Sequence, residues 1–364
     1  MQLVQSRFSA ILFTLLLVGA GISLLIGLYA GLIRMGMVTP AGLRLDGMLH
    51  GPLKINGFLG TLISLERSAA LQQLWTYVAP LSFALSTILL LAGAPVTGGF
   101  FLIAGSVFMV IILGYLVYLQ TVSHHIIMLL AGLSLLTGNV LFILNQPIYE
   151  LVIWWLGFPV LTIFGERLEL NRLMRPHARA VQVFTAVIFL WLFSAALLHI
   201  DREVFWYAVS IILIILALWL IRYDVARRTI KSTEWTRYSA LCLLSGYGWL
   251  ILAGIYGIIA GFPYAGPVYD SLLHMIFVGF VFSMIFAHAA VIIPALTGLL
   301  VPYHPYFYLP FVILHISLLL RVTGDIAWIS KLQSIGSYVN VAAILLFLGG
   351  IMVQLIRNKI QGST

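Results

Sequence analysis

The sequence predicts an all-α polytopic membrane protein of about twelve transmembrane helices, and three observations predict it. Hydrophobic residues make up 62% of the 364 positions, while charged residues make up only 8%. The mean hydropathy is +1.10. Apolar runs of about twenty residues, the length needed to cross a bilayer as a helix, recur along the whole chain between short polar breaks.

The runs lie near 8–33, 46–65, 74–92, 98–119, 123–144, 148–166, 180–200, 204–222, 238–260, 270–296, 306–323 and 333–356. No hydrophilic linker separates them, so one domain over 1–364 is expected, with the lipid bilayer as its first partner. The first run follows directly on Arg7 with no small-residue cleavage motif, and is read as a retained span rather than a signal peptide. Cys242 is the only cysteine, which excludes an intramolecular disulfide and a thiolate cluster.

The formal charge of +8 gathers in the breaks. Arg167, Arg172, Arg175 and Arg179 follow the sixth run. Arg222, Arg227, Arg228, Lys231 and Arg237 follow the eighth, and Arg357 and Lys359 occupy the tail. These fall on one side if both termini are cytoplasmic, which is the orientation the positive-inside rule selects; Arg34 and Arg44 count weakly against it. The expected location is the inner membrane of a bacterium or archaeon. No basic–aromatic patch or motif points to nucleic acid.

The run at 270–297 carries His274 and His288, fourteen residues apart. In a continuous α-helix that is close to four turns, placing both rings near one face, roughly 21 Å apart. Ionisable side chains are costly in a membrane and mark candidate functional sites. With the orientation above, His50 and His274 each lie about four residues into a span that enters from the outer side. Two imidazoles at matching depth suit axial ligation of a haem iron. Arg321, at the outer end of its span, is a candidate partner for haem propionates or for Asp325, or an interface arginine. Lys54 lies one turn beyond His50, as a propionate partner, a proton carrier or a side chain reaching to the surface. His124, His125 and His288 form a possible inner set. They fit a transition metal such as copper, or, with Glu66–Arg67 and Glu166–Arg167–Glu169, an ionic girdle at helix ends. His315 falls near mid-membrane. Asn56, Asn139, Tyr247 and Trp249 read as hydrogen-bonding contacts between helices.

Nucleotide-binding, serine-hydrolase, zinc-protease and covalent-haem motifs are absent from the sequence. A haem here would be non-covalent.

The segments HGPLKINGFLGTLISLER (50–67), LTIFGERLELNRL (161–173), HMIFVGFVFSMIFAHAAVIIPALTG (274–298) and LHISLLLRVTGD (314–325) resemble the NnrS family. That resemblance implies a membrane haem and copper protein of about twelve spans linked to nitric oxide metabolism, and so an oxidoreductase class. More distantly, the chain resembles the catalytic subunit of haem–copper oxidases and nitric oxide reductases. This implies a bundle of that type with low-spin haem ligands on the second and tenth helices, where His50 and His274 fall. The chain departs from that subunit in having Leu272 and Ile276, not a second histidine, two residues either side of His274. The expectation is one haem b held by His50 and His274, in electron transfer or nitric oxide handling, with nitric oxide or an electron-donor protein as partner. A proton- or metal-linked transporter using the same histidines is the alternative.

Overall fold

A computed structural model describes residues 2–37, 45–174 and 176–361. Arg44 and Arg175, two of the loop cations used for orientation, lie outside the described residues. Among these residues there are 13 helices and no strand. Eleven helices are long and apolar enough to cross a membrane, and the protein is an integral membrane protein.

The helices group into two compact units, Met1–Thr162 and Ile163–Thr364. In the first, α1 is Gln2–Arg34, α2 runs over 47–71, α3 is Leu74–Leu91, α4 is Pro95–Leu119, α5 is Ser123–Ile143 and α6 is Ile148–Leu170. The unit boundary falls within α6. The second unit contains α7 (Ala178–Leu197), α8 (Arg202–Tyr223), the short α9 (Ala226–Thr229), α10 (Glu234–Ala260), α11 (266–297), α12 (Pro305–Ile326) and α13 (Ser330–Gln361).

The surface pattern of α1 explains the solvent it expects. Ile11, Leu15, Val18, Ile22 and Leu25 recur at helical spacing and are exposed, while Leu16, Ala20, Ser23 and Leu24 are buried. A helix apolar on both faces packs protein on one and lipid on the other. Inside, small residues let helices approach and a few polar groups tie them together.

Eleven apolar spans, rather than twelve, reflect the composition of α2. It is long enough to cross, but His50, Lys54 and Asn56 interrupt its first half and Glu66–Arg67 its last turns. It is also not a plain α-helix. After His50–Pro52 comes an eight-residue π-helical run, Leu53–Gly60, before α-helix resumes at Thr61–Leu71. Thr61 N–H bonds back to Asn56 O, five residues earlier. The helix α11 repeats this order: Gly266–His274, then π-helical Met275–Phe282, then Ser283–Thr297. Both runs begin just beyond a histidine, and runs of this kind are uncommon and concentrate at functional sites.

Serine hydroxyls donate to backbone carbonyls within both π runs. Ser23 on α1 donates to Leu53 O at 2.9 Å. Ser64 donates to Gly60 O at 2.5 Å, and Ser283 to Gly279 O at 2.6 Å.

The π run corrects one expectation. The four-turn spacing of His274 and His288 assumed 3.6 residues per turn throughout. Eight of the intervening residues wind more widely, so His288 leaves the face that the spacing assigned to it.

Candidate functional site

In the first unit, Asp46 starts α2 by accepting Met48 N–H on Oδ1 at 2.8 Å. The ring of His50 then turns back on its own helix, with Nδ1 3.2 Å from Gly47 O. A carbonyl can only accept, so Nδ1 carries the proton and Nε2 carries the lone pair. Lys54 is half-buried, with its stem against α1: a Cβ at Gly27 would come 2.9 Å from Lys54 Cγ. A glycine on the facing helix thus makes room for a long aliphatic stem, which accounts for a lysine in this apolar setting.

The π run beyond His50 is held by one buried amide. Asn139 Nδ2 donates to Asn56 Oδ1 at 2.8 Å and to Ser106 Oγ at 2.6 Å, and Asn139 Oδ1 accepts Trp155 Nε1–H at 2.8 Å. Both asparagines and Ser106 are fully buried. This network joins α2, α4, α5 and the first half of α6, and fixes the helix that carries His50.

In the second unit, His274 repeats the ring geometry of His50. Its Nδ1 lies 2.7 Å from Asp270 O, one turn earlier, so Nε2 again carries the lone pair. The side chain of Asp270 lies close as well, with Oδ1 at 3.4 Å from Nδ1. Ligating histidines characteristically donate their second ring nitrogen to a carbonyl or carboxylate, which fixes tautomer and orientation. The donor chemistry at both residues therefore fits a metal ligand.

Arg321 belongs to the same cluster. It donates bidentately to Asp270, Nε to Oδ2 at 2.8 Å and Nη2 to Oδ1 at 2.9 Å. Its bidentate carboxylate partner is thus Asp270, a residue outside the alternatives weighed for Arg321 from the sequence. Asp325 accepts instead from Ser271 Oγ at 3.0 Å, and its buried Oδ1 has no hydrogen-bond partner among the described residues. Asp270 was not among the residues singled out from sequence. Its signal was present: an acid four residues before His274 on the same helix shares its face.

The inner set separates. His124 and His125 adjoin each other at the start of α5, ring centroids 4.4 Å apart, and His125 Nδ1 bonds Gln120 O at 2.9 Å. His288, in the second unit, has Nδ1 2.7 Å from Met284 O and lies within electrostatic range of Arg167 and Asp224. Arg167 and Asp224 are both buried, 3.8 Å apart, and Asp224 Oδ2 also accepts Tyr247 OH at 2.8 Å. Within neither unit do three or more described His, Cys, Asp or Glu side chains gather around a common metal position. Of the expected girdle, Glu169 forms an exposed pair at 3.0 Å with Arg172, a residue outside that set. His315 accepts Trp249 Nε1–H on Nδ1 at 2.8 Å. All four residues read as interhelical contacts, Asn56, Asn139, Tyr247 and Trp249, make such bonds.

A family profile described as a domain of unknown function, DUF8744, matches residues 13–356, nearly the whole chain. The chain belongs to the DUF8744 family. That membership covers both histidine-bearing helices of this DUF8744 protein and carries no activity with it. No curated protein matches the chain.

Proposed function

We propose that this membrane protein binds haem b through His50 and His274 and acts in electron transfer or in nitric oxide metabolism. One observation carries the reading: the two histidines share the same local construction. Each ring is locked by Nδ1 to a carbonyl of its own helix, presents Nε2 as the lone-pair nitrogen, and stands just before an eight-residue π run. The resemblance to NnrS proteins, and more distantly to a haem–copper-oxidase-like bundle, supports it.

Haem b would supply a one-electron redox couple. The protein's contribution is orientation. The backbone carbonyls of Gly47 and Asp270 hold the two imidazoles, Asn139 fixes the helix beyond His50, and the Arg321–Asp270 pair fixes the region around His274. His50 and His274 would together hold the haem iron and leave it no ready position for a gas, which favours electron transfer or sensing over turnover. Loop charges favour cytoplasmic termini and a bacterial or archaeal inner membrane.

The test is the visible spectrum of protein purified from haem-replete cells, oxidised and reduced, with and without nitric oxide. The expected result is a Soret band with a sharp reduced α-band, lost in both His50→Ala and His274→Ala. A colourless wild type overturns the reading. Metal analysis of the same preparation decides whether His124, His125 or His288 holds copper.

A second reading, a proton- or metal-linked transporter, draws on Asp325, a buried intramembrane carboxyl with an unpartnered oxygen. It expects a colourless protein in which His50→Ala changes flux.

A further inference from the structure

Where α8 leaves its span, four cations converge on one concave surface. Arg222 stands in the last turn of α8, Arg227 and Arg228 on α9, and Lys231 just after it. With Met174 they line a cavity of about 440 Å3, within the size range of small-ligand sites. Arg222 also lies over the Tyr223 ring, 5.4 Å from its centroid.

The positive-inside rule accounts for cations on this side of the membrane. It does not account for their convergence, nor for the fate of the one acid in the loop. Asp224 is fully buried and turned away from the cavity. Its Oδ1 accepts Ala226 N–H at 2.7 Å, and its Oδ2 accepts Tyr247 OH and faces Arg167. Val225 N–H bonds Asn171 Oδ1 at 3.3 Å. The turn between α8 and α9 is therefore tied down from below, with its carboxylate sequestered. Among the described residues no carboxylate pairs with any of the four cations.

We propose that this cavity binds a phosphate-bearing anion, with the headgroup of an acidic phospholipid as the favoured source. The cavity lies between the end of one candidate span, Arg202–Tyr223, and the start of the next, Glu234–Ala260, which is where lipid headgroups sit. Basic pockets in this position, with arginines that bond phosphate oxygens in pairs, suit such groups. The inference is independent of the haem reading, and its test needs no spectrum.

The experiment is native mass spectrometry of the full chain in detergent, titrated with cardiolipin or with phosphatidylcholine. Wild type is expected to bind cardiolipin in preference to phosphatidylcholine. Arg227→Gln with Arg228→Gln should weaken cardiolipin binding about thirtyfold. Lys231→Gln alone should fall between, and Lys331→Gln with Arg357→Gln, cations elsewhere on the second unit, should stay within about twofold. Matching melting temperatures establish that the variants fold. Displacement of cardiolipin by inorganic phosphate, with phosphate alone raising the melting temperature of wild type but not of the double variant, keeps the site and assigns it to soluble phosphate. Equal losses in the two double variants, or no preference for the anionic lipid together with no effect of phosphate, overturn the proposal.

Discussion

Removing Arg321 is the most informative perturbation of the cluster around His274. Its two bonds to Asp270 are short, 2.8 and 2.9 Å, and the two side chains are 9% and 24% exposed. Breaking a buried pair by deleting one partner costs about 3–5 kcal/mol, because the remaining charge stays behind in a poor solvent. Arg321→Gln leaves two acids, since Asp325 lies close enough to Asp270 for their carboxyls to interact. Asp270→Asn leaves Arg321 with Asp325 as a substitute partner, and should cost less, about 1–3 kcal/mol. In the double variant one carboxylate remains and no cation. Its cost should fall about 2 kcal/mol short of the sum, the coupling expected of residues in direct contact. At about 2–4 °C per kcal/mol, Arg321→Gln should lower the melting temperature by about 6–20 °C. The assay is intrinsic fluorescence of detergent-solubilised protein at a fixed heating rate, because membrane proteins commonly unfold irreversibly. Arg172→Gln breaks the exposed pair with Glu169 and should shift melting by no more than the equivalent of about 1 kcal/mol. Additive losses in the double variant, or an Arg321→Gln shift no larger than that of Arg172→Gln, would refute the reasoning.

Asn139→Ala removes a hub with three buried side-chain bonds, to Asn56, Ser106 and Trp155. At about 0.6 kcal/mol for each interhelical bond in a membrane, the loss should be about 2 kcal/mol in the same melting assay, with the exposed Gln146→Ala as the silent control. Gly279 lies against the Trp249 ring so closely that any Cβ would overlap it, and Gly279→Leu should cost about 1–3 kcal/mol or more. Gly248→Leu, where a Cβ meets nothing within 4 Å, should leave melting unchanged.

Much of the architecture was legible because apolar length is a strong signal. The run expected at 123–144 is Ser123–Ile143, and that at 98–119 is Pro95–Leu119. The polar residues Asn56 and Asn139, far apart in sequence, were each legible as hydrogen-bonding groups, since a buried amide in a membrane must find a partner. Their partnership with one another was not, because single-sequence periodicity contains no information on which helices adjoin. The same limit hid the choice between Asp270 and Asp325 at Arg321. The π runs were illegible for another reason. Their sequences, LKINGFLG and MIFVGFVF, share a Gly-Phe pair at the fifth and sixth positions, but such a pair is equally at home in an α-helix, and the wider winding depends on packing against other helices. The short α9, four residues long, is set by the capping of Asp224 rather than by any apolar pattern.

The winding of α11 also determines how relatives of this chain should be compared. A substitution scan along 266–297 will not yield a single sinusoid of tolerance. Its two flanks will each rise and fall every 3.6 residues, with a slip in phase across 275–282. Positions on the N-terminal flank that tolerate change will not extrapolate to the C-terminal one, and a helical wheel drawn through the whole segment will mix lipid-facing with protein-facing sites. The same slip applies to 47–71. In both helices, the N-terminal flank, with His50 or His274, and the C-terminal flank are free to diverge as separately phased pieces of one rod.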